Sequence, residues 1–272
     1  MTIEQINALS AKVPKPEAEY IGENGLLCCA ACHKEVQTEI EVFGHKRIVR
    51  CICDCRKKEI EAEKEHQARQ QREHRRNVCF AGAKEKVKAW IFDKDDERNP
   101  KLSEAAKKYV KNFTDFKKDG KGLLFHGTVG TGKTFYAACI ANALIDDGHK
   151  VLMTNFSRMT NELQGTFEKQ AYIDDLNTYT LLIIDDLGVE RTSDYVKEIV
   201  YNIIDSRYSS GLPLIITTNL TMEEIKKPQE IGYSRIYDRI LEMCFPVEVN
   251  GSSRRRQNVR DSYYSIKEKL GL

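Results

Sequence analysis

The 272-residue sequence predicts an α/β protein: a three-layer fold with a parallel β-sheet between helices, preceded by a small cysteine-rich module and a charged helix. Three observations carry that expectation. From about residue 103, apolar stretches without polar alternation (GLLFHG, KVLMTNF, LLIID, LPLIITTN) alternate with segments of helical period, as in a parallel sheet covered on both faces. Six of the nine cysteines crowd between Cys28 and Cys55. Between these regions, residues 56–77 contain almost no apolar residue beyond Ile60, Ala62 and Ala68.

Residues 1–20 are polar, hold two prolines and read as a flexible arm. They lack the apolar core of a secretory signal, and no run approaches the roughly 20 apolar residues that span a bilayer, so a cytoplasmic protein without a membrane partner is expected. Residues 21–57 form the cysteine module, in which TEIEVFGHKRIV predicts a β-hairpin turning at Gly44. Residues 58–90 read as a solvated connecting helix and linker, helical by propensity but with no face to bury. Residues 91–272 hold the α/β domain. There the pattern predicts helices at 103–114, 132–147, 157–169, 193–208 and 234–244, strands at 122–127, 150–156, 181–185 and 212–219, a late strand FPVEV, and a terminal helix near 261–270. The net charge of +2 does not by itself argue for a nucleic-acid partner.

Residues 127–134, GTVGTGKT, satisfy G-x-x-x-x-G-K-[ST] between a predicted strand and a predicted helix. Gly127, Val129, Gly130, Thr131 and Gly132 would turn their backbone N–H groups around a phosphate, helped by the positive end of the helix dipole. Lys133 would reach the β- and γ-phosphates of ATP, and the Thr134 hydroxyl would bind Mg²⁺. LLIIDDLG ends an apolar strand in two carboxylates: Asp185 to organise the metal and Asp186 to polarise the attacking water. Asn219, closing LPLIITTN, would stand beside the γ-phosphate, since Thr221 is free to cap the following helix. In IGYSRIYDRILEMC, Ile236, Tyr237, Ile240, Leu241 and Cys244 form an apolar stripe with Arg235 and Arg239 along its flank.

The cysteines offer a C-x-x-C knuckle, Cys29 and Cys32, and C-I-C-D-C at Cys51, Cys53 and Cys55. Two such pairs supply four thiolates for tetrahedral Zn²⁺, with more cysteines than places. About 35 residues build little core alone, so a metal would supply folding energy to the module.

The order GTVGTGKT, LLIIDDLG, RY, IITTN and RIYDR resembles AAA+ ATPases, and more narrowly the replicative helicase loaders of the DnaC/DnaI type and the related IstB transposition helpers. The resemblance covers about residues 90–260. It implies an AAA+ P-loop NTPase domain that binds ATP between subunits of a self-associating assembly, together with a hexameric DnaB-type helicase and single-stranded DNA as partners. By position Arg235 resembles the trans-acting arginine finger, and Arg239 the sensor of the subunit's own γ-phosphate. The zinc module of the loaders points to Cys29, Cys32, Cys53 and Cys55 as ligands, with Cys51 the main rival and His33 and His45 more distant ones. Many AAA+ proteins carry Glu where this chain has Asp186, one methylene shorter, so slow, partner-stimulated hydrolysis is expected. Arg254, Arg255, Arg256 and Arg260 suit DNA-backbone contacts, equally well a solvated surface. Rival readings are a transposition helper of the IstB kind, a non-hydrolysing ATP-switched adaptor and a small-molecule kinase. The cysteine module speaks against the first and is left unexplained by the last.

Overall fold

The computed structural model describes residues 19–164, 166, 168–188, 194–228, 230–254, 259, 263, 266–267 and 269–270. The chain divides into two compact units, Met1–Gln71 and Arg72–Leu272.

In the first unit, β1 (Glu19–Ile21) pairs antiparallel with β2 (Leu27–Cys29), and β3 (Gln37–Val42) with β4 (His45–Arg50). The hairpin turns on Phe43 and Gly44, both left-handed at φ 50 and 77, the two-residue geometry that matches strand twist. Its core is small: Cys29, Val36 and Cys53. Helix α1 (Asp54–Cys79) runs through the division between the units, and Cys79 is its one buried residue.

The second unit adds α2 (Glu85–Lys88), α3 (Pro100–Lys111) and α4 (Phe113–Lys118) before the sheet begins. Asn99 caps α3 by accepting from the Leu102 N–H, with Pro100 in the first turn. Then follow β5 (Gly122–His126), α5 (Lys133–Asp146), β6 (Val151–Asn155), α6 (Phe156–Gln164) and α7 (Lys169–Leu176). After these come β7 (Leu181–Leu187), α8 (Asp194–Ser210), β8 (Leu214–Thr218), α9 (Met222–Lys226), α10 (Ile231–Met243) and β9 (Cys244–Glu248). The predicted strands and helices recur with shifted ends. The helix expected over 157–169 is α6, which ends at Gln164, and a further helix, α7, follows that the pattern does not predict. The expected terminal helix and Arg255, Arg256 and Arg260 fall mostly or wholly outside the described residues.

The five strands are parallel in the order β6-β7-β8-β5-β9. Successive side chains serve opposite faces, and both faces are apolar. Leu123, Phe125, Leu181, Ile183 and Ile215 pack with α5 and the preceding helices. Leu124, Leu182, Ile184, Leu214 and Ile216 pack with α6, α7, α8 and α10. That is why the strands show no polar alternation. After β5 the chain crosses to the far edge for β6, and it later returns past β5 to lay down β9. The order therefore reverses at β5, and a crevice opens at the carboxyl ends of β5 and β8, where ligands bind in such sheets. Among the described residues, no helix is long and apolar enough to cross a membrane.

Candidate functional site

The crevice holds a cavity of about 660 Å³ lined by Val129, Gly130, Gly132, Lys133, Thr134, Asp185, Asp186 and Asn219 among others. Strand β5 delivers the chain into the 127–132 loop, and α5 starts immediately after it. Gly127 has φ 134 and lies so close to the residue following β9 that a Cβ would sit 2.6 Å from the Val249 carbonyl oxygen. Gly132, at φ 109, caps α5 in a conformation open to few side chains. The loop amides and the positive end of the α5 dipole thus meet at the cavity.

Lys133 is buried, and its Nζ donates to the carbonyls of Gly127 (2.7 Å) and Thr128 (2.8 Å) and to Asn219 Oδ1 (2.8 Å). The Thr134 hydroxyl donates to Asp185 Oδ1 at 2.9 Å. Residues from β5–α5, β7 and β8 therefore converge on one point, as the motif spacing predicts. Asn219 is free for this task because Thr221 and Glu224 form a reciprocal capping box at α9. Burial pushes the pKa of His126, which precedes the loop, below the usual imidazole value, so it stays neutral near physiological pH.

Three features escape a linear reading. Thr217 donates to Asp185 Oδ1 (2.6 Å) and accepts from the Asp186 N–H (2.9 Å), so one hydroxyl fixes both acidic residues. In the sequence it looks like an ordinary β-branched strand residue. Arg254 follows β9 back over the loop: its N–H donates to the Gly130 carbonyl at 2.9 Å, and its guanidinium pairs with Asp96 at 2.6 Å beside the Phe135 and Tyr136 rings. Tyr136 in turn donates to the Asp95 carboxylate. Finally, Trp90 and Phe135, with ring centroids 5.8 Å apart, line the cavity with Val87 and supply an apolar wall.

Asp186 has φ 58, and the β7–β8 register breaks between Ile184 and Leu187. The bulge leaves Asp185 among its hydroxyl partners and presents Asp186, exposed, at the cavity.

The two arginines of α10 part company. Arg235 is exposed. Arg239 is not among the residues that line the cavity. It pairs with Asp205 at 2.6 Å and lies over the rings of Tyr201 (4.7 Å) and Tyr208 (5.8 Å), all on α8. Among the described residues, the arginine that lines the cavity is Arg254.

In the first unit the sulfurs of Cys29, Cys32, Cys53 and Cys55 all lie within 4.8 Å of one another. Cys55 Sγ is 3.1 Å from Cys53, 3.4 Å from Cys29 and 3.5 Å from Cys32. Zinc–sulfur bonds of about 2.3 Å in a tetrahedron place sulfurs roughly 3.8 Å apart, so the four fit that ion. The rivals face elsewhere. Cys51 points at the Glu35 carbonyl, Cys28 at the Leu26 carbonyl, and His33 is hydrogen-bonded to the Tyr20 hydroxyl. The N–H groups of Cys32 and Ala31 pull the Cys29 thiol down to about 7, while hydrogen bonding among the crowded sulfurs pushes Cys55 up. A divalent cation would replace the shared protons.

The model of the IstB-like ATP binding protein family matches residues 56–262. The replicative helicase loader DnaI of Bacillus subtilis is 29% identical over 160 residues, 54% of this chain and 51% of that protein. The replicative helicase loader DnaC of Escherichia coli K12 is 36% identical over 142 residues, 50% of this chain and 55% of that one. The chain thus spans about half the length of the curated relatives it matches. A crystal structure of DnaI superposes with a TM-score of 0.53 at 25% identity, covering 63% of this chain and 93% of that one. A crystal structure of the DnaC helicase loader, at TM-score 0.52 and 23% identity over 61% of this chain and all of that one, shares the fold. With the phosphate loop, the paired carboxylates and the polar strand end assembled around one cavity, and the family model covering most of the sequence, the chain belongs to the IstB-like ATP-binding proteins.

Proposed function

We propose that the chain is an ATP-dependent loader of a hexameric DnaB-type replicative helicase, acting in the cytoplasm as a self-associating assembly on single-stranded DNA. The observation that carries the reading is the convergence of Lys133, Thr134, Asp185 and Asn219 on one cavity, in a chain similar over about half its length to two helicase loaders. Triphosphate entering the cavity replaces the carbonyl and amide partners of Lys133, which frees Asn219 to hold the attacking water. Thr134 and Asp185 would hold Mg²⁺, which would supply neutralisation of the phosphate charge. Asp186 orients the water, and Arg254 supplies the subunit's own cation at the cavity mouth. The exposed Arg235 serves a neighbour's phosphate; such a guanidinium is worth about 10³–10⁵ in rate in GTPases. The short carboxylate of Asp186 favours slow hydrolysis that rises on assembly. Cys29, Cys32, Cys53 and Cys55 hold Zn²⁺ and keep the module at residues 21–57 folded for contact with the helicase.

Co-purification with a DnaB-type helicase, with and without ATP, tests the reading. The parent chain should be retained with ATP, Lys133→Ala should not, and Arg235→Ala should bind ATP as a lone subunit yet fail in the assembly. Retention by a transposase in place of the helicase would favour a transposition helper. Loading that needs Lys133 but proceeds without measurable turnover would favour an ATP-switched adaptor.

A further inference from the structure

We propose that Thr217 is a positioning residue for the metal and the attacking water: its hydroxyl aims Asp185 and holds the bulge that turns Asp186 toward the cavity. This rests on the reading above that Asp185 holds Mg²⁺ and Asp186 orients the water. Strand β8 is buried along its whole length and opens as an ordinary core strand, Leu214, Ile215 and Ile216. Ile215 lies beside Ile183 of β7, on the face that packs with α5. Side chains two residues on return to the same face, and there Thr217 and Asp185 meet. Thr217 is 0% exposed. An apolar β-branched residue suits such a place, and an unpaired hydroxyl there is costly. This hydroxyl is paired twice: it donates to Asp185 Oδ1 at 2.6 Å and accepts from the Asp186 N–H at 2.9 Å.

The donated bond fixes the carboxylate. Rotation about the last bond of an aspartate side chain is broad, so a ligand oxygen needs outside partners to keep one direction. Asp185 Oδ1 receives the Thr217 hydroxyl from β8 and the Thr134 hydroxyl from α5. Thr134 is itself placed at the metal, so the outer support comes from Thr217. The accepted bond has a second effect. The β7–β8 ladder breaks between Ile184 and Leu187, and within the break the Asp186 N–H finds its acceptor in Thr217. The left-handed turn at Asp186, φ 58, is pinned by that bond. Pairing resumes where Leu187 meets Thr218, whose hydroxyl donates to the Leu187 carbonyl at 2.7 Å. Two buried threonines thus bracket the bulge, Thr217 at the two acidic residues and Thr218 at the backbone beyond them.

The test uses the full chain with Thr217→Val, Thr217→Ser, Thr217→Ala and Thr218→Val. A fluorescent ATP analogue is titrated into each at a series of Mg²⁺ concentrations and in EDTA. Turnover is read with a DnaB-type helicase and single-stranded DNA. Thr217→Val keeps the shape and loses the hydroxyl, and it should need about 10–100-fold more Mg²⁺, the usual effect of removing an outer partner of a metal ligand. Its affinity in EDTA should stay within about twofold of the parent. At saturating Mg²⁺ its turnover should remain about tenfold low, because Asp186 has lost its hold. Thr217→Ser keeps the hydroxyl and loses the methyl, and its Mg²⁺ requirement should lie within about threefold of the parent. Should the valine variant not fold, Thr217→Ala against Thr217→Ser makes the same comparison. A parent-like Thr217→Val beside an impaired Thr217→Ser would assign the residue to packing and overturn the inference. So would an equal loss in EDTA and in Mg²⁺, or an equal shift in Thr218→Val. Full turnover of Thr217→Val at saturating Mg²⁺ overturns the part that concerns Asp186. Binding by the parent that is indifferent to Mg²⁺ overturns the reading of the site, and this inference with it.

Discussion

At Asp186 the backbone is left-handed, a conformation in which Asp and Asn are several-fold enriched over longer side chains. The missing methylene relative to Glu is then matched to the local backbone, where a linear comparison reads it only as a weaker base. Asp186→Glu should lower the stability of the domain by about 1 kcal/mol in a denaturant melt, while Asp186→Asn leaves it unchanged and removes turnover. Equal stabilities for the two would refute the strain account. The same residue scale separates what the sequence made legible from what it hid. Lys133, Thr134, Asp185 and Asn219 were legible because strand ends and a linear motif specify them. Thr217 and Arg254 were not: the one is masked by its strand propensity, and the other reaches the cavity only because the chain after β9 turns back over the loop.

Among the elements, α8 is anchored by Arg207, at the end of the sheet away from the cavity. That side chain is 1% exposed and donates to the carbonyls of Leu176, Tyr179, Thr180 and Pro213, stitching the ends of α7 and the entries to β7 and β8. Burial pulls its guanidinium down to about 10, so it remains charged at neutral pH and depends on those four acceptors. Arg207→Ala leaves four strand-entry and turn carbonyls without their donor, and should cost about 3–5 kcal/mol, or a fall in Tm of roughly 10 °C. A thermal melt within a few degrees of the parent would show that water replaces the guanidinium. The helical period of IGYSRIYDRILEMC correctly marked Ile236, Tyr237 and Ile240 as core. Periodicity names a face but not the neighbour it meets, so the acceptor of Arg239, some thirty residues upstream on α8, was invisible. Helix α7 was missed for a related reason: in KQAYIDDL only Ile173 and Leu176 are buried, too few for a periodic signal.

At the scale of the whole molecule, the proposed metal ligands all belong to the first unit and the nucleotide-binding residues all belong to the second. Chelation should therefore release about one zinc per chain and unfold the β1–β4 module, a loss of strand signal in the far-ultraviolet, while ATP affinity stays within about twofold. Release of no zinc from protein purified without chelator would reject the assignment. The parallel sheet was legible as a class because continuous apolar runs demand two covered faces; its strand order was not, since crossovers leave no mark in composition. That order leaves β9 at one edge, with Phe245 70% exposed and Pro246 in the middle of the strand. Proline has no N–H to offer, and sheets tolerate it at an edge. An open strand carrying an exposed aromatic is a template for indiscriminate pairing between copies, and Pro246 interrupts that template. Pro246→Val should thus leave the nucleotide site untouched and yet make the purified protein precipitate on concentration, a solubility defect with no cause in the active centre.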